Sequence, residues 1–380
     1  MEKKIIDCGL TFDDVLLLPR YTDFTRDDIS LKTKLTKKIS LKILLISSPM
    51  DTVTESQLAI EIGKLGGIGI VHRNLTIENQ VREVKKVIEK KILVGAAIGS
   101  GFNYEKRVEL LVKAGVSIIV IDSAHGYSKP VIEALEFMKK NHPKIEVIAG
   151  NIATSQAAEI LIKKGADGLR VGMGPGAICT TRIVSGMGVP QVSAILDVYK
   201  VAKKYQVPII ADGGIRYSGD VVKAIASGAD TVMMGSVFAS CIEAPGKLIK
   251  LTANQVPARF KNILKKNQKF YLFKEYRGMG SEAAMKKGAK IKSESEFHNK
   301  SYRDKILVAE GVEGLVPVKG TVKEIINQFL GGLKSGMYYL GVRDISQLKT
   351  KSKMIKITQA SLVESHPHDL FITNSGKSYL

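Results

Sequence analysis

The chain has 380 residues, 44% of them hydrophobic and 25% charged, which excludes a single small domain and leaves ample apolar surface for a large core. Lysine and arginine number 57 against 37 aspartates and glutamates, a formal charge of +20. The lysines are scattered through 32–42, 85–91, 261–274, 286–300 and 349–356, with few aromatics among them and no tryptophan, so the charge reads as a solvated surface and nucleic-acid binding is not expected. No apolar run is long enough to span a bilayer and the first seven residues lack a secretory apolar core, so a soluble, cytoplasmic protein with no membrane partner is the expectation.

In chain order, eight short apolar runs bounded by turn residues read as fully buried parallel strands: 43–47, 68–71, 93–98, 118–122, 146–149, 168–171, 208–211 and 231–234. Between most of them lie helical patterns, such as 55–64 and 155–164, the latter capped by Thr154 or Ser155. Three segments repeat one design, Lys113-Ala-Gly-Val-Ser-Ile-Ile-Val, Lys164-Gly-Ala-Asp-Gly-Leu-Arg-Val and Ser227-Gly-Ala-Asp-Thr-Val-Met-Met: a helix-ending glycine, a turn, then a strand. Eight such units predict an α/β chain folded as a (β/α)8 TIM barrel, with an open doubly wound sheet as the alternative if two runs are not strands. After the eighth strand the pattern loosens, and 244–310 reads as a long mobile, Lys-rich flap within one catalytic domain spanning 1–380; amphipathic character returns near 321–330.

Chemistry in a barrel gathers at the C-terminal strand ends. The loop Gly172-Met-Gly-Pro-Gly-Ala-Ile-Cys-Thr-Thr-Arg182 puts a thiol among glycines, two hydroxyls and a cation. Glycines let a backbone approach a ligand, Thr180 and Thr181 lie within reach of Cys179, and Arg182 as a positive neighbour favours the thiolate. Cys8 and Cys241 read as small buried hydrophobes, and three widely spaced cysteines give no disulfide framework. Asp212-Gly213-Gly214 and Gly235-Ser236 end the last two strands, where this fold usually binds phosphate; Asp212 suits ribose hydroxyls. His72, His125 and His366 lie on separate elements and read as hydrogen-bonding rather than metal-ligating residues.

These motifs, together with Gly9-Leu-Thr-Phe-Asp-Asp-Val-Leu-Leu-Leu-Pro19, Ser47-Ser-Pro-Met-Asp-Thr-Val-Thr-Glu55, Asp122-Ser-Ala-His-Gly126, Tyr276-Arg-Gly-Met-Gly280 and Glu310-Gly-Val-Glu-Gly314, resemble the IMP dehydrogenase family over nearly the whole chain. The resemblance implies that Cys179 attacks C2 of IMP, that hydride passes to NAD, and that water releases XMP from a covalent thioimidate, a step of guanine nucleotide biosynthesis. It assigns proton handling to Thr181 and Glu310. It implies an IMP site of Ser48, Met50, Asp212, Gly213, Gly214, Gly235, Ser236, Tyr276, Arg277, Gly278, Met279, Gly280 and Glu310, and NAD contacts from Asp122, Ser123, Ala124, Gly172, Met173 and Gly174. It further implies a potassium ion held by Gly174, Gly176 and Cys179 with Glu364, Ser365 and His366 of a neighbouring subunit, hence a homotetramer.

The sequence departs from the family pattern in three places. The paired CBS domains the family usually carries are absent at about 90–92. The family's phosphate-contacting serine is Ala177. The flap's Arg-Tyr pair, which activates the hydrolytic water, is missing; only Tyr302-Arg303 occurs, in reverse order. Two other readings therefore stand beside the dehydrogenase: GMP reductase, an NADPH-dependent deaminase of GMP towards which Ser281-Glu282-Ala-Ala-Met285 leans, and a non-catalytic relict that binds purine nucleotide or RNA.

Overall fold

The structure, a computed structural model, describes residues 4–5, 8–101, 103–265, 267–295, 308–370, 372 and 376, without the side chains of 292–295. Eight parallel strands close into a barrel: β1 (Leu45–Ser47), β2 (Ile68–Val71), β3 (Val94–Ile98), β4 (Ile118–Asp122), β5 (Glu146–Ile152), β6 (Gly168–Val171), β7 (Ile209–Asp212) and β8 (Thr231–Met234). Each pairs with the next in sequence, and β8 closes on β1 with Val232 opposite Leu45, which removes the open-sheet alternative. Seven of the eight predicted runs coincide with these strands to within two residues; β5 instead continues past Ala149 through a bulge near Gly150 to Ile152.

Helices α1 (Ser56–Lys64), α2 (Ile77–Ile88), α3 (Tyr104–Lys113), α4 (Lys129–Asn141), α5 (Ser155–Lys163), α6 (Gln191–Tyr205) and α7 (Ser218–Ala226) surround the barrel. Each buries an apolar stripe against the outward-facing strand residues. Thr154 is the cap of α5, its hydroxyl accepting from the Ala157 amide at 3.3 Å. Residues 89–93 alone carry the chain from α2 to β3, turning at Lys91 with φ +59°. Inside the barrel, Ile46, Ile70, Val120, Ile148, Ile210 and Met233 form a separate apolar layer, closed at the bottom by Leu35 and Leu41 of an N-terminal hairpin. Truncating a buried isoleucine of such a layer to alanine costs about 2–5 kcal/mol.

The region after β8 is more ordered in pattern than its composition suggested. Strands β9 (Leu248–Thr252), β10 (Phe270–Arg277) and β11 (Glu313–Pro317) form an antiparallel sheet, and helix α8 (Glu282–Ser295) lies between the last two strands in sequence. Tyr271 and Phe273 pack with Val256 beneath this sheet in a small core of their own. Tyr302-Arg303 lies outside the described residues. Helix α9 (Val322–Tyr339) starts at a capping box of Thr321 and Glu324 and packs on α7, where Gly332 and Gly336 allow approach to Ser218 and Val222. Among the described residues, no helix is long and apolar enough to cross a membrane.

Candidate active site

The loop after β6 leaves the barrel through Gly172, whose φ is +153° and where a Cβ would lie 2.1 Å from the Asp212 carbonyl oxygen. Gly174, at φ +83°, likewise faces the Arg182 side chain at 2.6 Å. These positions admit only glycine without displacing backbone or a packed side chain. The loop is then held from across the mouth. The Val312 amide donates to the Ile178 carbonyl at 2.9 Å, and the Thr180 amide donates to the Glu310 carbonyl at 3.0 Å. Gly278 sits against Gly311 and Ile178, and the Glu310 amide donates to the Gly280 carbonyl at 3.1 Å. The end of β10 and the return into β11 therefore clamp the Cys179 loop.

On this frame the half-buried Cys179 Sγ donates to Thr181 Oγ1 at 3.2 Å, and Thr181 Oγ1 donates to Glu310 Oε2 at 2.8 Å. One hydroxyl thus accepts from a thiol and donates to a carboxylate, which is the connectivity of a proton relay. Of the two threonine hydroxyls expected near the thiol, only that of Thr181 bonds to it. Arg182 Nη2 donates to the carbonyls of Val189 at 2.8 Å and Met173 at 3.4 Å, so this side chain fastens the loop. Cys241 is buried, and desolvation raises its thiol far above the ordinary value; Cys8, read as buried, is exposed.

The β7 and β8 ends converge on the same mouth. Gly213 and Gly214, both at positive φ, lie under Pro175, the nearest Cβ contacts being 3.0 and 3.3 Å. At Gly235 a Cβ would come 2.6 Å from the Tyr276 hydroxyl and 3.1 Å from Met50 Sδ, so Gly235, Tyr276 and Met50 are brought together; Ser236 follows as the first residue of a one-turn helix. Ser48 is buried beside them, its amide donating to the Met234 carbonyl at 3.2 Å, while Met279 and Gly280 are half-buried. Tyr276 is nearly fully buried, and burial, then the Asp212 charge, push its phenol well up, so it stays a neutral hydroxyl. Arg277 does not point an unpaired cation into the mouth: its Nε donates to Asp51 Oδ1 at 3.0 Å and its Nη2 also bonds to that carboxylate. Burial opposes the Asp51 charge, but Arg277 and Asn74 outweigh it and hold the carboxyl below its usual value.

The residues expected on the cofactor side separate. Asp122, Ser123 and Ala124 line a cleft of about 260 Å³ with Arg73, Gly99, Ser100 and Arg107, whereas Gly172, Met173 and Gly174 are not part of its walls. Arg170, Asn151 and Gln191, which sequence reasoning passed over, connect the two regions. Asn151 Nδ2 donates to the Gly172 carbonyl and to Asp212 Oδ2, both at 2.8 Å, and Gln191 Nε2 donates to the carbonyls of Val171 at 2.9 Å and Asp212 at 3.1 Å. An arginine inside an otherwise apolar buried strand was the signal available. Glu364, Ser365 and His366 are exposed at the end of a helix, Gln359–Glu364, with the Ser365 hydroxyl turned back to its own Ser361 carbonyl. His72 is buried, with Nε2 3.2 Å from Glu55 and Nδ1 accepting from the Asn74 amide.

Comparison with known proteins gives the family. A family model described as IMP dehydrogenase / GMP reductase domain matches residues 9–368. The chain belongs to the IMP dehydrogenase / GMP reductase family. It is 46% identical over 421 aligned positions to the inosine-5'-monophosphate dehydrogenase of Borreliella burgdorferi, covering 98% of this chain and 99% of the relative. It is 44% identical to the protein of that name from Cryptosporidium parvum, with full coverage of both chains. The Rhodopirellula baltica protein of that name is 37% identical over 505 positions, covering all of this chain and 89% of the relative; an alignment that long means this relative carries sequence the present chain lacks.

Proposed function

We propose that the chain oxidises IMP to XMP with NAD, through a covalent bond between Cys179 and C2 of the hypoxanthine ring. The observation that carries this reading is the unbroken Cys179–Thr181–Glu310 hydrogen-bond path at the barrel mouth. The thiol proton passes by way of the Thr181 hydroxyl towards the Glu310 carboxylate as Sγ adds to C2. The same path takes a proton from the water that later cleaves the C–S bond. NAD, when bound, supplies the acceptor for the hydride that leaves C2.

Substrate phosphate suits the amides of Gly214 and Gly235 with the Ser236 hydroxyl and the neutral Tyr276 phenol, beside Gly213, whose own amide donates to the Met233 carbonyl at 3.4 Å. Asp212 accepts from the ribose hydroxyls. Ser48, Met50 and the backbone of Met279, Gly280 and Glu310 border the base, and Gly278 gives the clamp its close approach. Arg277 serves through its ion pair with Asp51, which fixes the start of this segment. Asp122, Ser123 and Ala124 suit the dinucleotide in their cleft, and Gly172, Met173 and Gly174, outside its walls, would meet the cofactor beside Cys179.

Among the described residues no group of three His, Cys, Asp or Glu side chains could hold a metal, which leaves backbone oxygens. Carbonyls of Gly174, Gly176 and Cys179 suit a weakly hydrated monovalent cation such as potassium. Glu364, Ser365 and His366 of a neighbouring copy would complete the shell in a homotetramer. The chain acts as one catalytic barrel with its 244–310 flap and without a CBS module. Absorbance at 340 nm tests the reading in two mixtures: a rise with IMP and NAD supports it, and a fall with GMP and NADPH in the absence of that rise replaces it with reduction of GMP.

A further inference from the structure

Above the apolar layer of the barrel interior, three strands of one side of the wall each contribute one charged side chain: Asp122 ends β4, Arg170 lies within β6, beyond the intervening β5, and Asp212 ends β7. Arg170 is 7% exposed. Its Nη1 donates to Asp122 Oδ1 at 2.6 Å and its Nε donates to Asp212 Oδ2 at 2.9 Å. One guanidinium therefore spans two carboxylates that the proposed function places on opposite sides of the reaction, cofactor and nucleotide. Gly150 makes room for it, since a Cβ there would fall 2.7 Å from the Arg170 Cβ and 2.5 Å from its carbonyl oxygen.

The surroundings hold this bridge in place. Arg73 Nε donates to the second oxygen of Asp122 at 3.2 Å. Asn151 Nδ2 donates to the same Asp212 oxygen as Arg170, so Asp212 Oδ1 receives no bond among the described residues and stays open to a ligand hydroxyl. Two cations balance two anions; Arg170 and the two carboxylates are largely buried, Arg73 opens to the cleft, and where burial strengthens charge interactions a change at one partner is felt at the others. Burial opposes the charge on Asp122, but Arg170 and then Arg73 outweigh it and hold the carboxyl below its ordinary value.

We infer that Arg170 is a positioning residue that couples the two halves of the site, so that a change at Asp122 alters the binding of nucleotide at Asp212. The inference rests on the proposed assignment of Asp122 to the cofactor and Asp212 to the nucleotide. When Asp122 loses its charge or engages a ligand, the guanidinium is redistributed towards Asp212, and the carboxylate that receives the ribose hydroxyls shifts with it. Couplings of this kind span about 5- to 150-fold in affinity.

The test is a double-mutant cycle read as the affinity for IMP in the absence of NAD, by calorimetry on the full chain. Asp122→Asn is expected to change the IMP dissociation constant at least fivefold, although Asp122 is not on the nucleotide side. In an Arg170→Met background the same substitution is expected to change it by less than twofold. An unchanged dissociation constant in Asp122→Asn, or an equal effect in both backgrounds, overturns the coupling. Asp212→Asn separates the two levels of the argument: if it leaves IMP affinity intact, the nucleotide-side assignment itself fails. If it weakens IMP while Asp122→Asn does not, only the coupling fails. Should Arg170→Met not fold, Arg170→Lys replaces it; an ammonium that reaches one carboxylate at a time is expected to reduce the effect of Asp122→Asn, and an undiminished effect overturns the role of the two-pronged bridge.

Discussion

Thr181 Oγ1 donates to Glu310 Oε2 across 2.8 Å, although 129 positions separate the two residues in the chain. The contact joins the loop after β6 to the segment that returns into β11, so on the proposed function the chemistry at Cys179 depends on that segment being in place. Thr181→Val keeps the shape and removes the hydroxyl. It is expected to lower kcat by about 10²–10⁴-fold, the usual worth of a positioned acid–base group, with IMP affinity nearly unchanged. Steady-state rates beside direct IMP binding measure this; a loss confined to IMP affinity would reassign Thr181 to substrate binding.

Gly235 lies under the Tyr276 hydroxyl and Met50 Sδ. A methyl group there has to push the buried tyrosine or the methionine away from the positions proposed for the phosphate and the base. Gly235→Ala is expected to raise KM for IMP about tenfold or more while the melting temperature falls by only a few degrees. An unaltered KM would show that these two side chains do not border the nucleotide.

Asp51 joins the barrel to the flap through Arg277 and Asn74, and its carboxyl is held below the ordinary value. A carboxylate with a depressed folded-state pKa contributes stability above its unfolded value, near pH 4, and loses that contribution as pH falls through the folded value. Urea midpoints are therefore expected to drop between pH 5 and pH 3 in the parent protein. The drop should be shallower in Asp51→Asn; an identical slope would remove Asp51 from the acid response.

Helix α8 approaches the barrel at Gly288, where a Cβ would come 2.9 Å from Asn74 Oδ1, and Asn74 Nδ2 donates to the Ala284 carbonyl at 3.3 Å. Asn74→Ala is expected to speed hydrogen exchange across 282–291 at least tenfold and to leave β1–β8 unaffected. Uniform acceleration throughout the barrel would instead mark Asn74 as a residue of global stability.

The barrel was legible because its strands are buried on both faces and bounded by turn residues, so a run such as Ile-Ile-Val-Ile-Asp at 118–122 stands out from its flanks. The flap sheet was not. Leu248-Ile-Lys-Leu-Thr252 buries one face only, and its lysine made the segment resemble its solvated neighbours. Cys179 was legible from its loop, whereas Glu310 came only from family likeness, since no spacing rule reaches across 129 positions. Asp122 and Asp212 were read as separate ligand contacts because their common partner, Arg170, lies inside a strand and was counted as part of an apolar run.

On the proposed function, the Cys179 sulfur becomes bonded to the purine during turnover. Acid quenching of the enzyme within the first turnover with IMP and NAD, followed by mass spectrometry of the peptide containing Cys179, tests it directly. A nucleotide adduct is expected on that peptide in the parent protein and in Thr181→Val, and none in Cys179→Ala. XMP formed by Cys179→Ala at a rate near that of the parent protein, without any adduct, would contradict it.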